Sequence, residues 1–299
     1  MSADAIAIST RGLSKCYGRV RAVDDVTLSV PAGRVLALMG RNGAGKTTLI
    51  KALLGLVPAS AGQASVLGLN PVTAHVAIRQ RVGYVPEAHR LYGWMAVAEI
   101  CRFTSAFYPR WDATACTSLL DRFGLDPEKK VKALSRGMTA KLGLTLALAH
   151  QPELLVLDEP MGGLDAVVRH EFIESIIGVA ADAGRTVLIS SHLLAEIDRV
   201  VDMAALLDRG RLRFAEDVEA LKGRVREIRV TFADPPAATD LDLPGVVSVA
   251  RDGREWTLVV DRFSEALLTD LRQHLPGSSC EVRNLGLEQI FVALAGKEE

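Results

Sequence analysis

An apolar run that empties straight into a glycine-rich loop, RVLALMGRNGAGKT at residues 34–47, restricts most strongly the folds open to this chain. A run apolar at every residue reads as a strand buried on both faces, as in a parallel sheet covered by helices. The following TTLIKALLGLV has helical spacing and stops at Pro58. Gly40, Gly45, Lys46 and Thr47 fit G-x-x-x-x-G-K-[ST], in the strand–loop–helix setting that the pattern requires. Glycines let backbone N–H groups wrap phosphate oxygens, and the helix beginning near Lys46 aims the positive end of its dipole at them. Gly40, Asn42, Gly43, Ala44, Gly45, Lys46, Thr47 and Thr48 are thus the expected phosphate-holding residues. Lys46 reaches the β- and γ-phosphates, and the Thr47 hydroxyl ligates Mg²⁺. The bland alternative is a glycine turn with a chance lysine. Chance matches arise on the order of once in 10⁴–10⁵ positions, before strand and helix flanks are required.

Two further apolar runs read as buried strands, ELLVLDEP (153–160) and RTVLISSH (185–192). The first carries Asp158 and Glu159 to its carboxyl end, where sheets of this kind bind ligands. Asp158 is suited to holding Mg²⁺ through water, and Glu159 to polarising a water for in-line attack on the γ-phosphate. A solvated acidic turn is the alternative. His192 ends the neighbouring strand and is placed to contact the γ-phosphate, although a lone histidine is more often structural.

Around these strands the pattern is βα-alternating, which implies a mostly parallel sheet flanked by helices. AIAIST (5–10) and VRAVDDVTLSV (20–30) alternate as strands, ASVLG and VGYVP are short strands, and residues from about Leu91 to His150 turn helical. A helix is expected over 166–182 and a short one in LLAEIDRVV. MAALLD and RLRFA form a hairpin. Composition shifts near Lys222-Gly223. Beyond it VREIRVTFA, the loose DPPAATD, a hairpin around Asp252-Gly253 and helical segments at 263–275 and 286–295 suggest a small α+β domain over 223–299.

With 299 residues, 49% of them hydrophobic, one medium and one small domain are affordable. The net charge of −1 argues against a nucleic-acid partner. Cys16, Cys101, Cys116 and Cys280 lack metal or redox spacing and read as reduced cytosolic thiols. MSADAIAIST has no basic segment before an apolar core, so no secretory signal is expected. LGLTLALA, from Leu142, is far too short to span a bilayer. Any membrane crossing would come from another chain.

The order phosphate loop, LSRGM (134–138), LLVLDEP, GGLD (162–165), SSH resembles the ATP-binding cassette of ABC transporters, over roughly residues 4–222. The resemblance implies an α/β P-loop NTPase cassette with antiparallel N-terminal strands and a helical subdomain at about 88–150. It implies ATP and Mg²⁺ as cofactors. Two cassettes, identical or not, would dimerise head to tail, so that Ser135 and Gly137 contact the γ-phosphate held by the partner. Asp165 would lie at the dimer seam, and Tyr17 would stack on adenine. Glu87 stands where the family usually has a glutamine that touches Mg²⁺ and the attacking water. Arg136, Met138 and Met161 also depart from the usual residues. LSRGM, VGYVPE, FYPRWD (107–112) and the tail LGLEQIFVAL are similar to a branch of bacterial exporters whose permease is a separate chain. This implies an ATP-hydrolysing subunit, cytoplasmic and peripheral on the membrane through its permease.

Six aromatics cluster after Glu87: Tyr92, Trp94, Phe103, Phe107, Tyr108 and Trp111. They are expected to divide between the subdomain's own core and a groove for a permease helix. A soluble ABC ATPase of translation or DNA repair is the alternative. The chain carries neither tandem cassettes nor a long coiled-coil insertion. Glu159 argues against a non-hydrolysing ATP sensor.

Overall fold

The computed structural model describes residues 5–88, 90–181, 184–191, 193–234 and 245–295. Two sequence expectations, the contact made by His192 and the loose stretch at 235–240, lie outside the described residues.

The chain opens with a long hairpin, β1 (Ile6–Tyr17) and β2 (Val20–Pro31), followed by β3 (Val35–Met39), α1 (Lys46–Leu53) and β4 (Ala61–Val66). Next come α2 (His75–Arg81), β5 (Val82–Val85), α3 (Val97–Ser105), α4 (Ala113–Arg122), a 3₁₀ turn (Val131–Ala133) and α5 (Arg136–Leu148). Then follow β6 (Leu154–Asp158), α6 (Ala166–Ala181), β7 (Thr186–Ser190), α7 (Leu194–Ile197), β8 (Met203–Asp208) and β9 (Arg211–Asp217). The remainder is α8 (Val218–Arg224), β10 (Arg226–Phe232), β11 (Val246–Asp252), β12 (Glu255–Val260), α9 (Glu265–His274), β13 (Ser278–Asn284) and α10 (Leu287–Ala295).

Among the described residues the strands form three sheets: β2-β1-β4, β5-β6-β7-β3-β8-β9 and β11-β12-β10-β13. In the second, β5, β6, β7, β3 and β8 are successively parallel. Every residue of β3, β6 and β7 is buried, as the unbroken apolar runs require. The first sheet is antiparallel and alternates instead, with Ile8, Leu13, Val26, Leu28 and Val30 turned inward. Those side chains share one core with Leu36 and Leu38 of β3 and with Leu49 and Ile50 of α1. α1 is thereby fixed beneath the loop that precedes it. The link from β8 to β9 is a turn at Arg209 and Gly210, both with positive φ, as the tightest hairpins demand.

Helices α3, α4 and α5 form the helical region. Almost the whole of α5 from Leu142 to Leu148 is buried, which suits a helix apolar on all sides. The FYPRWD stretch joins this region to the sheet. Tyr108 stacks on the buried His150 with centroids 4.0 Å apart. Asp112 caps α4 by accepting from the Ala115 N–H at 2.9 Å. Arg110 lies 3.6 Å from Glu153, a carboxylate already held by two 2.7 Å bonds from Arg81.

By its contacts the chain divides into residues Met1–His192 with Arg199–Ala215, and Leu193–Asp198 with Glu216–Glu299. The second unit has its own core, in which Ile228, Val230, Trp256, Leu258 and Leu271 pack between the four-stranded antiparallel sheet and α9. The short α7 belongs to this unit. Its Leu194 and Ile197 are fully buried, and the adjoining Asp198 meets Lys222 at 2.7 Å and the Leu287 N–H at 3.4 Å. Among the described residues no helix is long and apolar enough to cross a membrane.

Candidate nucleotide site

Because β3, β5, β6 and β7 run parallel, their carboxyl ends share one edge of the sheet. β3 delivers the phosphate loop to that edge, β5 leads to Glu87, β6 ends at Asp158 and β7 at Ser190. The loop depends on its glycines. Gly45 caps α1 at φ 105°, and a β-carbon there would sit 2.2 Å from the Ala22 carbonyl oxygen. Gly40 would collide with the Leu207 carbonyl at 2.4 Å. Only a residue without a side chain lets the backbone approach so closely.

Above the loop lies a cleft of about 270 Å³, lined by residues Arg41 to Thr48, Ala22, Glu87 and Glu159. Its polar groups are tightly arranged. The Lys46 ammonium donates to the Gly40 carbonyl at 2.6 Å and pairs with Glu159 Oε1 at 3.1 Å. The Thr47 hydroxyl donates to Asp158 Oδ1 at 3.1 Å. Asp158 is 1% exposed, and its Oδ2 has no hydrogen-bond partner. A buried carboxylate oxygen left in this way is costly unless a ligand takes it. Hard oxygen donors at one point suit Mg²⁺, so the residues present fit that ion.

Glu159 has φ 48°, a left-handed backbone that costs a non-glycine residue about 1–3 kcal/mol. Its N–H is held by Ser190, at 3.1 Å to the carbonyl oxygen and 3.0 Å to the hydroxyl. The Ser190 hydroxyl in turn donates to Asp158 Oδ1 at 2.8 Å. The Tyr84 phenol also faces Asp158. Burial pushes its pKa up, and the Asp158 charge pushes it further. Neither Ser190 nor Tyr84 is signalled by the sequence as a site residue. The faint cue was a serine closing an otherwise apolar strand.

The structure thus brings Gly43, Ala44, Gly45, Lys46, Thr47, Thr48, Asn42, Glu87 and Glu159 around one cleft, with Asp158 bonded to its edge at Thr47. Tyr17 stands outside the cleft lining, half-exposed at the tip of the first hairpin, with the Lys15 ammonium 4.9 Å from its ring centroid. Ser135, Gly137 and Asp165 form a separate group. Ser135 caps α5, accepting from the Met138 N–H at 3.2 Å, and Asp165 accepts from the Val168 N–H at 3.0 Å at the start of α6. The two helix starts touch. A β-carbon on Gly137 would lie 2.7 Å from Val168 Cγ1, and one on Gly163 would lie 3.3 Å from the Arg136 guanidinium.

Residues 23–162 match the family model described as ABC transporter. A bacitracin transport ATP-binding protein BcrA of Bacillus licheniformis is 36% identical over 222 residues, covering 74% of this chain and 72% of that protein. The chain belongs to the ABC transporter family. A Nod factor export ATP-binding protein I of Ralstonia nicotianae extends the likeness to 97% of this chain and 94% of that protein, at 32% identity. A solved ATP-binding subunit of an ABC transporter superposes with a TM-score of 0.66 at 28% identity, covering 73% of this chain and 92% of its own. The chain is therefore an ATP-binding and ATP-hydrolysing transporter subunit, and its mixed α/β architecture is that of the ABC cassette.

Proposed function

We propose that this subunit binds MgATP in the phosphate-loop cleft and hydrolyses it with Glu159 as general base. The observation that carries this reading is the placing of two bonded pairs, Lys46 with Glu159 and Thr47 with Asp158, each joining the phosphate loop to the end of β6. Lys46 takes the β- and γ-phosphates, backbone N–H groups from Asn42 to Thr48 wrap them, and Thr47 with Asp158 holds Mg²⁺. Bound there, the ion would neutralise charge on the phosphates. Glu159 accepts the proton of the attacking water, Glu87 flanks it, His192 contacts the γ-phosphate, and Tyr17 stacks on adenine.

The group at Ser135, Gly137 and Asp165 supports a two-copy arrangement. It presents a helix start on a surface apart from the cleft, so a γ-phosphate would be reached from a second cassette. The partner in the membrane is a permease. Tyr92, Trp94, Phe103 and Phe107 support that assignment. They form an exposed ladder with centroids 5.3–6.1 Å apart, and Trp94 is 67% exposed. Contiguous exposed aromatics of this kind suit the docking of a permease helix. The second aromatic set is spent internally, as Tyr108 on His150 illustrates. Export is favoured by likeness to the Nod factor export protein. The subunit would then sit on the cytoplasmic face of the membrane through its permease, with the cassette in the first compact unit and an accessory domain in the second, which begins at Glu216, a few residues before the composition shift at Lys222-Gly223.

The test is Glu159→Gln. It should bind MgATP and accumulate as an ATP-bound dimer on size exclusion, with phosphate release about 10²–10⁴-fold slower. Wild-type turnover would remove Glu159 from its role. A variant that holds ATP as a monomer would remove the two-cassette arrangement.

A further inference from the structure

Parallel register sets Ser190 directly beside Asp158 on β6 and beside Leu38 on β3. It is wholly buried. Its hydroxyl carries one proton, which goes to Asp158 Oδ1 at 2.8 Å. A lone pair of the same oxygen accepts the Glu159 N–H at 3.0 Å. Thr47 donates to the same Oδ1. Two hydroxyls on one oxygen fix the rotation of the carboxylate and leave Oδ2 buried without a hydrogen-bond partner. On its other side, Ser190 secures the left-handed backbone of Glu159, which sharply redirects the chain after β6 and carries the Glu159 carboxylate to Lys46.

We infer that Ser190 is a positioning residue for hydrolysis, whose single hydroxyl both fixes the Asp158 carboxylate against Thr47 and joins its own carbonyl in holding the strained turn that aims Glu159. This rests on the assignment of Asp158 and Glu159 made above. A valine would fill the same buried place in the apolar run but would make neither bond. Removing a group that orients a metal ligand typically costs about 10–100-fold in affinity or activity.

The test compares Ser190→Ala with Ser190→Thr, which restores the hydroxyl, in the full chain. Binding of a fluorescent ATP analogue is measured with EDTA and over a Mg²⁺ series, alongside steady-state phosphate release. Ser190→Ala should bind the analogue normally in EDTA, lose about tenfold of the affinity gained with Mg²⁺, and show kcat about 10–100-fold lower at little-changed KM for ATP. Ser190→Thr should recover most of both. Wild-type Mg²⁺ dependence and kcat in a folded Ser190→Ala protein would overturn the inference. Should Ser190→Ala fail to fold, Ser190→Cys replaces it: turnover equal to that of Ser190→Thr would overturn the inference, and a clear deficit against Ser190→Thr would support it. Glu159→Gln assayed in parallel separates the two levels. If it turns over ATP like wild type, the site assignment fails; if it is inactive while Ser190→Ala is fully active, only the role of Ser190 fails.

Discussion

Lys46 Nζ stands 3.1 Å from Glu159 Oε1, with only 6% and 11% of the two side chains exposed. The cation expected on the phosphates and the carboxylate expected to act as base therefore form a nearly buried pair. Removing one member of such a pair strands the other charge, at about 3–5 kcal/mol. Lys46→Ala should abolish ATP binding and also lower the urea midpoint. Combining it with Glu159→Gln should recover part of the lost stability and none of the binding. Additive losses in the double variant would show that the pair is not coupled.

Glu87 lines the cleft from the end of β5 and is exposed. It places a negative charge where a triphosphate would lie. Glu87→Gln should raise nucleotide affinity several-fold and shift the Mg²⁺ concentration for half-maximal ATPase, because like charges repel more strongly in a partly desolvated cleft. Identical ATPase rates across a Mg²⁺ series would put Glu87 outside the metal shell.

Gly137 is needed within the single chain, whatever it does for a partner. A methyl there would lie 2.7 Å and 3.1 Å from the two methyls of Val168. A valine in a helix has little rotameric freedom with which to yield. Gly137→Ala should cost about 1–3 kcal/mol, and Val168→Ala in the same chain should return most of it. Thermal melts of the three variants decide the matter; a stable single variant would show that the α5 start relaxes freely.

His150 should govern part of the acid sensitivity. Burial pulls its pKa down from 6.5 to about 4. The unfolded chain therefore takes up the proton first. Stability from this group is complete above about pH 6.5 and drains away as pH falls toward 4, on the order of 2–3 kcal/mol. His150→Phe keeps a ring against Tyr108 and removes the titration. Urea midpoints at pH 7 and 4.5 should differ less in the variant than in the wild type; equal differences would rule His150 out.

Continuous apolar runs made β3, β6 and β7 readable, because strands buried on both faces cannot accommodate polar alternation. The phosphate loop was readable because its glycines are sterically obligatory. β13 was not: it reads SSCEVRN, only two of its residues are even partly buried, and its pairing with β10 leaves most of its side chains in solvent. α2 was missed for a related reason, since Ile78 is its sole buried residue. Ser190 illustrates a deeper limit. Its two site bonds reach 31 and 32 residues back along the chain, and they exist only once β6 and β7 lie in register. The Arg81–Glu153 pair, 72 residues apart, was hidden in the same way.

α7 constrains how the chain can be divided. Residues 193–198 are grouped with a body whose other residues begin at Glu216, so no single cut of the polypeptide separates the two. A clone ending near residue 215 would strip Asp198 of Lys222 and the Leu287 N–H and leave the apolar Leu194 and Ile197 in a turn severed from the rest of its unit. A minimal, crystallisable ATPase from this chain calls for redesign of that turn with polar residues, not for a stop codon alone.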